Sequence, residues 1–247
     1  LMFSACAPAS PAPPEDTFVI IASLFPQYDF AREIAKDKAQ VRLLLPPGVE
    51  SHTYEPSPAD IIAIGSADLF LYTGESMEPW AHRIAESVDT GVTVLDVSAL
   101  IEFEESADHD HNDKTHGKTY DPHIWTDPVR AIQMVRNIEF ALSRADPGNA
   151  GFYRANAAAY IEQLESLDRA FQSLAEGAKL RKIFFGGRFA MEYFAKRYGF
   201  ECEAAFDSCS SQTEPSAQRV AKIIDDMKAA GASVIFYEEL ADPKIAR

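Results

Sequence analysis

The stretch of sequence that decides the fold runs over residues 41–60 and reads VRLLLPPGVESHTYEPSPAD. Its opening apolar run, 41–45, is typical of a strand, and the Pro-Pro-Gly that follows at 46–48 ends that strand. Ser57 is then a suitable helix cap, a proline occupies the first turn, and Asp60 favours the positive end of the helix. The stretch therefore predicts one strand, one loop and one capped helix in succession.

The same alternation extends along the chain in both directions. A long helix is predicted over 150–176, longer than a usual crossover helix and long enough to span two lobes. Its apolar residues recur at three- and four-residue steps and so predict one packed face: Tyr160, Leu164, Leu167, Phe171 and Leu174. Alternating strands and helices indicate a parallel sheet covered by helices, and therefore an α/β fold. Short apolar runs predict the other strands at 17–22, 69–72, 92–95 and 182–185, and helical spacing predicts helices at 26–36 and 128–143.

A weak internal repeat supports two similar lobes. The order of turn, capped helix, strand and acidic residue occurs over 55–75 and again over 214–238. A chance match is the alternative, because Pro-Ser is a common helix opening.

Length and charge limit the classes of function. The 247 residues suit one large domain or two lobes, each lobe having roughly 100–150 residues. The net charge of −15 argues against a nucleic-acid partner, since a phosphate-binding surface requires clustered Lys and Arg.

The three cysteines include no CxxC pair, which excludes a cysteine-rich zinc knuckle. Cys6 follows small residues and precedes a Pro/Ala stretch at 7–14 that should behave as an extended tether. This pattern resembles the end of a bacterial lipoprotein signal, which is cleaved before a cysteine that then carries lipid. We therefore expect residues 1–16 to be a signal remnant and tether, with lipid on Cys6. A chance cysteine in a frayed terminus is the alternative.

His52 stands in an unusual context. It lies after the predicted strand 41–45 and before the capped helix, where open α/β sheets place ligand groups. Glu55 is close enough in sequence to orient the His52 imidazole.

His123 stands in a second such context, DPHIWTDP at residues 121–128. Either Asp121 or Asp127 is suited to hold one ring nitrogen of His123 and leave the other for a metal, and imidazole suits zinc and its neighbours. From the residues alone, a metal site shared by His52 and His123 and a pair of ordinary loop histidines both stay open.

Three segments together resemble the TroA-like (cluster A-I) solute-binding proteins of ABC importers. They are residues 47–58, residues 121–128 and YFAKRYG at 193–199, and the similarity covers nearly the whole chain from Thr17 onward. The resemblance implies two Rossmann-like α/β lobes with parallel sheets, joined by one long rigid helix, with metal in the cleft between the lobes. The implied boundaries are 17–145 for the N-terminal lobe, 146–178 for the linking helix and 179–247 for the C-terminal lobe.

By this resemblance, His52 and His123 are metal ligands from the N-terminal lobe. The acidic stretch 102–120 is similar to the loop that gathers metal in zinc-binding members. Its histidines, His109, His111 and His116, are then weak and transient ligands. A solvated loop without a binding role is the alternative.

The sequence departs from the family pattern at Arg188. Members have a His or Glu as third ligand at this position, whereas arginine stays protonated and cannot ligate a metal. Either Arg188 neutralises carboxylates near the cleft, with an open or water-filled metal position, or another group completes the site. The candidates are Glu214 and Cys209, followed by Asp207 and Glu238.

Cys209 also has a second interpretation. A thiolate ligand would favour zinc over manganese, but Cys209 is equally suited to form a disulfide with Cys202. The resemblance further implies a fourth ligand, an aspartate, from sequence beyond Arg247.

The implied function is high-affinity capture of a divalent transition metal outside the membrane and its delivery to an ABC permease. Two histidines and an acidic His-bearing loop favour Zn²⁺, with Mn²⁺ or Fe²⁺ as the alternative. We expect a monomer anchored to the cell membrane by lipid, facing the periplasm or the extracellular space, with no nucleic-acid partner and no enzymatic activity.

Two other classes of function are alternatives to metal capture. A secreted metal-dependent hydrolase would also use histidines and carboxylates, but the sequence has no HExxH, nucleophile elbow or phosphate loop. Members of the resembling family have also been called adhesins, although no stretch of this sequence indicates an adhesive surface.

Overall fold

A computed structural model describes residues 17–88, 91–105, 120–187, 189–206 and 216–237. The first lobe has four strands, β1 (Phe18–Ala22), β2 (Ala39–Leu43), β3 (Leu69–Tyr72) and β4 (Thr93–Asp96). Its helices are α1 (Phe25–Ala35), α2 (Pro58–Gly65), α3 (Gly74–Met77), α4 (Pro79–Ser87) and α5 (Pro128–Ala145). The long helix α6 (Ala150–Gly177) leads to β5 (Lys182–Phe185), α7 (Glu192–Tyr198), β6 (Glu201–Ala204) and α8 (Ala217–Ala230).

The first-lobe sheet is parallel, with strand order β2-β1-β3-β4. β3 is buried along its whole length because it pairs with β1 on one side and β4 on the other, so its sequence is a continuous apolar run. The predicted parallel sheet covered by helices is confirmed. Its carboxyl edge, where the loops after the strands gather, is the edge at which such sheets bind ligands.

The edge strand β2 begins two residues earlier than the apolar run 41–45 predicts. Its register is set by β1, which pairs Phe18 with Ala39 and Ala22 with Leu43. An edge strand has one unpaired side and needs less apolar sequence than a central strand, so Ala39 and Gln40 gave no strand signal in the sequence.

The predicted cap of α2 is confirmed as a reciprocal capping box. The Ser57 hydroxyl accepts the Asp60 backbone N–H at 3.3 Å, and the Asp60 carboxylate accepts the Ser57 N–H at 2.8 Å. Two orphan backbone donors are thereby satisfied, which fixes the point where the loop containing His52 ends.

Helix α6 joins the two lobes, as its length suggested. In its first half, the Tyr160 hydroxyl donates to Asp29 of α1 at 3.2 Å. In its second half, the Phe171 ring lies 5.0 Å from the Phe194 ring of α7. Leu167 and Leu174, which the apolar spacing assigned to the packed face, are instead 44% and 60% exposed, because the second half of α6 is covered on one side only.

The second lobe is built on a smaller parallel sheet, β5 paired with β6. Helix α8 is capped by the Ser216 hydroxyl, which accepts the Arg219 N–H at 3.1 Å. Phe236 then adds to the edge of β5, donating to Phe184 O at 2.8 Å and accepting from Gly186 N at 2.7 Å. The predicted order of capped helix and strand is therefore present, with the strand reduced to one bridge in the described part. The two-lobed α/β fold is confirmed.

Across the ranges that the structure describes, no helix combines the length and the apolar composition needed to cross a membrane.

Candidate metal centre

The two histidines singled out by the sequence lie together. The ring centres of His52 and His123 are 5.7 Å apart and meet edge to face, although the residues come from the loop after β2 and the loop before α5. A tetrahedral zinc ion with Zn–N bonds of about 2.0–2.1 Å would hold two imidazole ring centres roughly 5 Å apart. The observed spacing therefore suits two ligands of one ion.

Aromatic packing and hydrogen bonds hold the His52 loop on both sides of the histidine. Trp80 of α4 donates its indole N–H to Ser51 O at 3.0 Å and packs edge-on against Tyr54 at 5.1 Å. The Tyr54 hydroxyl donates to Asp60 at 2.9 Å. His52 itself is half-buried, and its backbone N–H donates to Glu50 Oε1 at 3.1 Å.

Asp121 fixes the orientation of His123. One oxygen, Oδ1, accepts both the His123 backbone N–H at 2.9 Å and the ring Nδ1–H at 2.6 Å. An ionised carboxylate can only accept, so Nδ1 is the donor, and in the neutral imidazole the free lone pair is on Nε2. This is the carboxylate–histidine arrangement that prepares an imidazole for a metal. Of the two aspartates that the sequence offered, Asp121 is the one that contacts the ring.

Asp127 has a different role. Its carboxylate caps α5 by accepting the Val129 N–H at 2.9 Å. It also pairs with Arg130 at 2.7 Å and with Arg197 of α7 at 3.3 Å. The alternative in which Asp127 holds the His123 ring is therefore wrong, because its oxygens are used by the helix end and two guanidinium groups.

Glu55 is exposed, and no hydrogen bond joins its carboxylate to His52 among the residues that the structure describes. Its proposed orienting role stays a prediction.

Tyr193 connects the second lobe to the His123 loop. Its hydroxyl donates to Asp121 O at 2.6 Å and accepts the Glu104 N–H at 3.0 Å. Burial raises the pKa of Tyr193 to about 12, so the hydroxyl remains a donor at physiological pH. The segment 193–199 carries part of the family resemblance, but no pattern in the sequence indicates this contact of Tyr193.

Apolar packing shields His123 from solvent. Trp125 packs against the His123 ring at 5.4 Å, and His123 is only 6% exposed. A dry surrounding strengthens electrostatic contacts to a bound ion. The neighbouring apolar cluster comprises Leu24, Leu45 and Met77 with Tyr54 and Trp125.

The other predicted ligands lie outside the part of the chain that the structure describes. Within the described ranges, no group of three or more His, Cys, Asp or Glu side chains is arranged to hold a metal ion. His52 and His123 are the two candidate ligands that the described part of the chain brings together. The following predicted residues lie outside the described ones: Cys6, His109, His111, His116, Arg188, Asp207, Cys209, Glu214 and Glu238.

Cys202 lies in β6 as a free, half-buried thiol; Cys209, its candidate disulfide partner, lies outside the described residues. Burial raises the pKa of Cys202 to about 12. Without a bound metal, the thiol therefore stays protonated at neutral pH.

The residues flanking the His-bearing stretch are tied together beside the site. Glu105 and Tyr120 form an isolated antiparallel bridge, and Asp121 N donates to Glu104 O at 3.1 Å. Glu105 and Tyr120, the described residues on either side of 106–119, therefore stand next to Glu104 and Asp121, the two residues that this hydrogen bond joins.

The comparisons with known proteins agree with this geometry. The model of the family described as zinc-uptake complex component A, periplasmic, matches residues 20–247. The zinc-binding lipoprotein AdcA of Streptococcus pneumoniae is 36% identical over 234 residues, covering 92% of this chain and 46% of AdcA. The high-affinity zinc uptake system protein ZnuA of Bacillus subtilis is 35% identical over 237 residues, covering 94% of this chain and 74% of ZnuA.

A solved structure extends the likeness to three dimensions. The Zn(II)-bound ZnuA-like domain of Streptococcus pneumoniae AdcA superimposes with a TM-score of 0.77 at 33% identity, covering 93% of this chain and 82% of that domain. The chain spans about half the length of the full AdcA relatives. The family match over nearly the whole chain and the His52–His123 pair lead to one conclusion: the chain belongs to the family of the periplasmic zinc-uptake complex component A.

Proposed function

We propose that this chain captures a divalent transition metal, zinc in preference to manganese or iron, outside the membrane and passes it to an ABC permease. The observation that carries the proposal is the His52–His123 pair, in which Asp121 leaves the Nε2 lone pair of His123 free. Imidazole nitrogens suit zinc, and the names of the AdcA and ZnuA relatives describe zinc binding and zinc uptake.

The remaining ligands are part of the proposal. Glu214 and Cys209 are the preferred donors, with Asp207 and Glu238 as substitutes, because Arg188 cannot ligate a metal. His109, His111 and His116 would gather metal weakly. The described residues that flank this stretch, Glu105 and Tyr120, are bridged next to Asp121, which supports the proposed gathering role.

The metal is proposed to be cargo and not a catalytic cofactor. A capture protein needs ligands that hold the ion and a way to release it, whereas a hydrolase needs an open position for water and a general base. We propose that the protein acts as a monomer, tethered at the outer face of the membrane by lipid on Cys6.

Metal titration tests the proposal. Zinc is titrated into wild-type protein and the His52→Ala/His123→Ala double variant, with manganese in parallel and bound metal quantified. His82→Ala is the matched control, because His82 lies on α4 and its ring contacts the Tyr72 hydroxyl at 3.1 Å, away from the pair.

We expect one tightly bound zinc per chain in wild type and in His82→Ala, and its loss in the double variant. Undiminished binding in the double variant would move the site to the His-bearing stretch. Absence of binding for both metals would overturn the proposed function.

A further inference from the structure

We infer that Tyr193 is a positioning residue for the metal ligand His123, acting from the second lobe through Asp121. The inference rests on the proposed function, because it assigns Tyr193 a role in the affinity of the same site.

Two hydrogen bonds, both made by Asp121, connect the Tyr193 hydroxyl to the His123 ring. The hydroxyl donates to the backbone carbonyl of Asp121 at 2.6 Å. The side chain of that same aspartate accepts the ring Nδ1–H of His123 at 2.6 Å and the His123 backbone N–H at 2.9 Å. Tyr193 therefore fixes the backbone of the residue whose carboxylate orients the ligand.

The tyrosine is held rigidly enough to do this. It is 1% exposed, and the Arg130 guanidinium lies 4.4 Å above its ring centre. Its hydroxyl also accepts the Glu104 N–H at 3.0 Å, which sets the direction in which the O–H points. Because the hydroxyl oxygen accepts this bond from a fixed direction, its O–H has little freedom to turn away from Asp121 O.

Charged contacts hold the helix that carries Tyr193 against the first lobe. Arg197 makes two hydrogen bonds to Asp168 of α6, at 2.7 and 2.8 Å, and pairs with Asp127 at 3.3 Å. Lys196 pairs with Glu104 at 2.5 Å. These contacts fix the position of α7 against the first-lobe segments that contain Asp121 and His123.

The position of α7 should therefore influence how well His123 binds metal. A displacement of α7 would break the Tyr193–Asp121 bond and free the backbone of the ligand loop. By linkage, a bound metal would in turn stabilise the contact between α7 and the first lobe. Such coupling provides a route by which movement of the second lobe lowers affinity and favours release.

Tyr193→Phe and Tyr198→Phe form a matched pair. Both remove one buried hydroxyl from α7, and the Tyr198 hydroxyl donates to Asp168 at 2.8 Å without contacting the His123 loop. Loss of one buried hydrogen bond in the ligand support should weaken zinc binding about 3- to 10-fold in Tyr193→Phe. Tyr198→Phe should bind zinc with wild-type affinity although its thermal stability falls as well.

Cobalt substitution supplies a readout that a purely structural role would not change. The visible absorption of bound Co²⁺ depends on ligand geometry, so Tyr193→Phe should shift the bands while Tyr198→Phe reproduces the wild-type spectrum. Equal zinc affinities and equal spectra for the two variants would overturn this inference and leave the proposed function intact. A wild-type protein that binds no zinc would overturn the proposed function itself.

Discussion

Glu78→Gln should abolish a pH dependence of stability that is built into the first lobe. Glu78 lies between α3 and α4, with 0% exposure. Its Oε2 atom accepts the Thr73 N–H at 2.7 Å and a weaker bond from Gln27 Nε2 at 3.4 Å. Three buried atoms around it, Glu78 Oε1, Gln27 Oε1 and Thr73 Oγ1, have no hydrogen-bond partner within the described part of the chain.

Burial is the main cause that raises the pKa of Glu78 from 4.5 to about 7, and the negative charge of Asp96 adds to it. In that pH window the folded protein keeps a proton that the unfolded chain releases. The free energy of unfolding is therefore highest below the unfolded pKa and falls as pH rises through the window, by about 3 kcal/mol in all.

Glutamine keeps the shape and stays neutral at every pH. Its amide N–H groups can also donate to Gln27 Oε1 or Thr73 Oγ1, which the ionised carboxylate cannot do. We expect Glu78→Gln to exceed wild type by about 3 kcal/mol at about pH 8 and to match it at about pH 4. Urea unfolding across this pH range measures the difference. A difference that does not change with pH, or a variant less stable than wild type at the alkaline end, would refute the reasoning.

Two further predictions concern the metal ligand and the contact between the lobes. Asp121→Asn keeps the backbone carbonyl but removes the charge that holds the His123 ring, so zinc affinity should fall about 10- to 100-fold in chelator competition; an unchanged affinity would contradict the assigned tautomer. Asp168→Asn weakens the bonds from Arg197, the main cause that lowers the pKa of Asp168, and should reduce the free energy of unfolding at neutral pH by about 1–3 kcal/mol. Because a lowered pKa contributes stability above the unfolded value and loses it as pH falls, this deficit should shrink in acid; a deficit that persists unchanged in acid would count against the ion pair.

Most of the fold could be predicted from the sequence, and the accuracy for each strand depended on that strand's surroundings. β3 is buried on both faces, and its apolar run predicted Leu69–Tyr72 without error. The edge strand β2 occupies Ala39–Leu43 and not the predicted 41–45, because its pairing with β1 sets where it begins and ends. Leu167 and Leu174 were assigned to a packed face by their spacing, yet a helix that joins two lobes is covered only where each lobe touches it.

The candidate site was predictable to the extent that local motifs define it. The contexts of His52 and His123 suggested a shared site, and their ring centres lie 5.7 Å apart. The choice between Asp121 and Asp127 depended on which carboxylate the arginines of α5 and α7 occupy, and only the folded chain decides that. The role inferred for Tyr193 likewise depends on a contact spanning 72 residues of sequence.

An anomalous-difference map, recorded at the zinc absorption edge from crystals grown with one equivalent of zinc, tests the central claim most directly. The account predicts a single peak about 2.0–2.1 Å from the Nε2 atoms of both His52 and His123. A peak held by other residues without either histidine, or no peak in protein that contains bound zinc in solution, would contradict it.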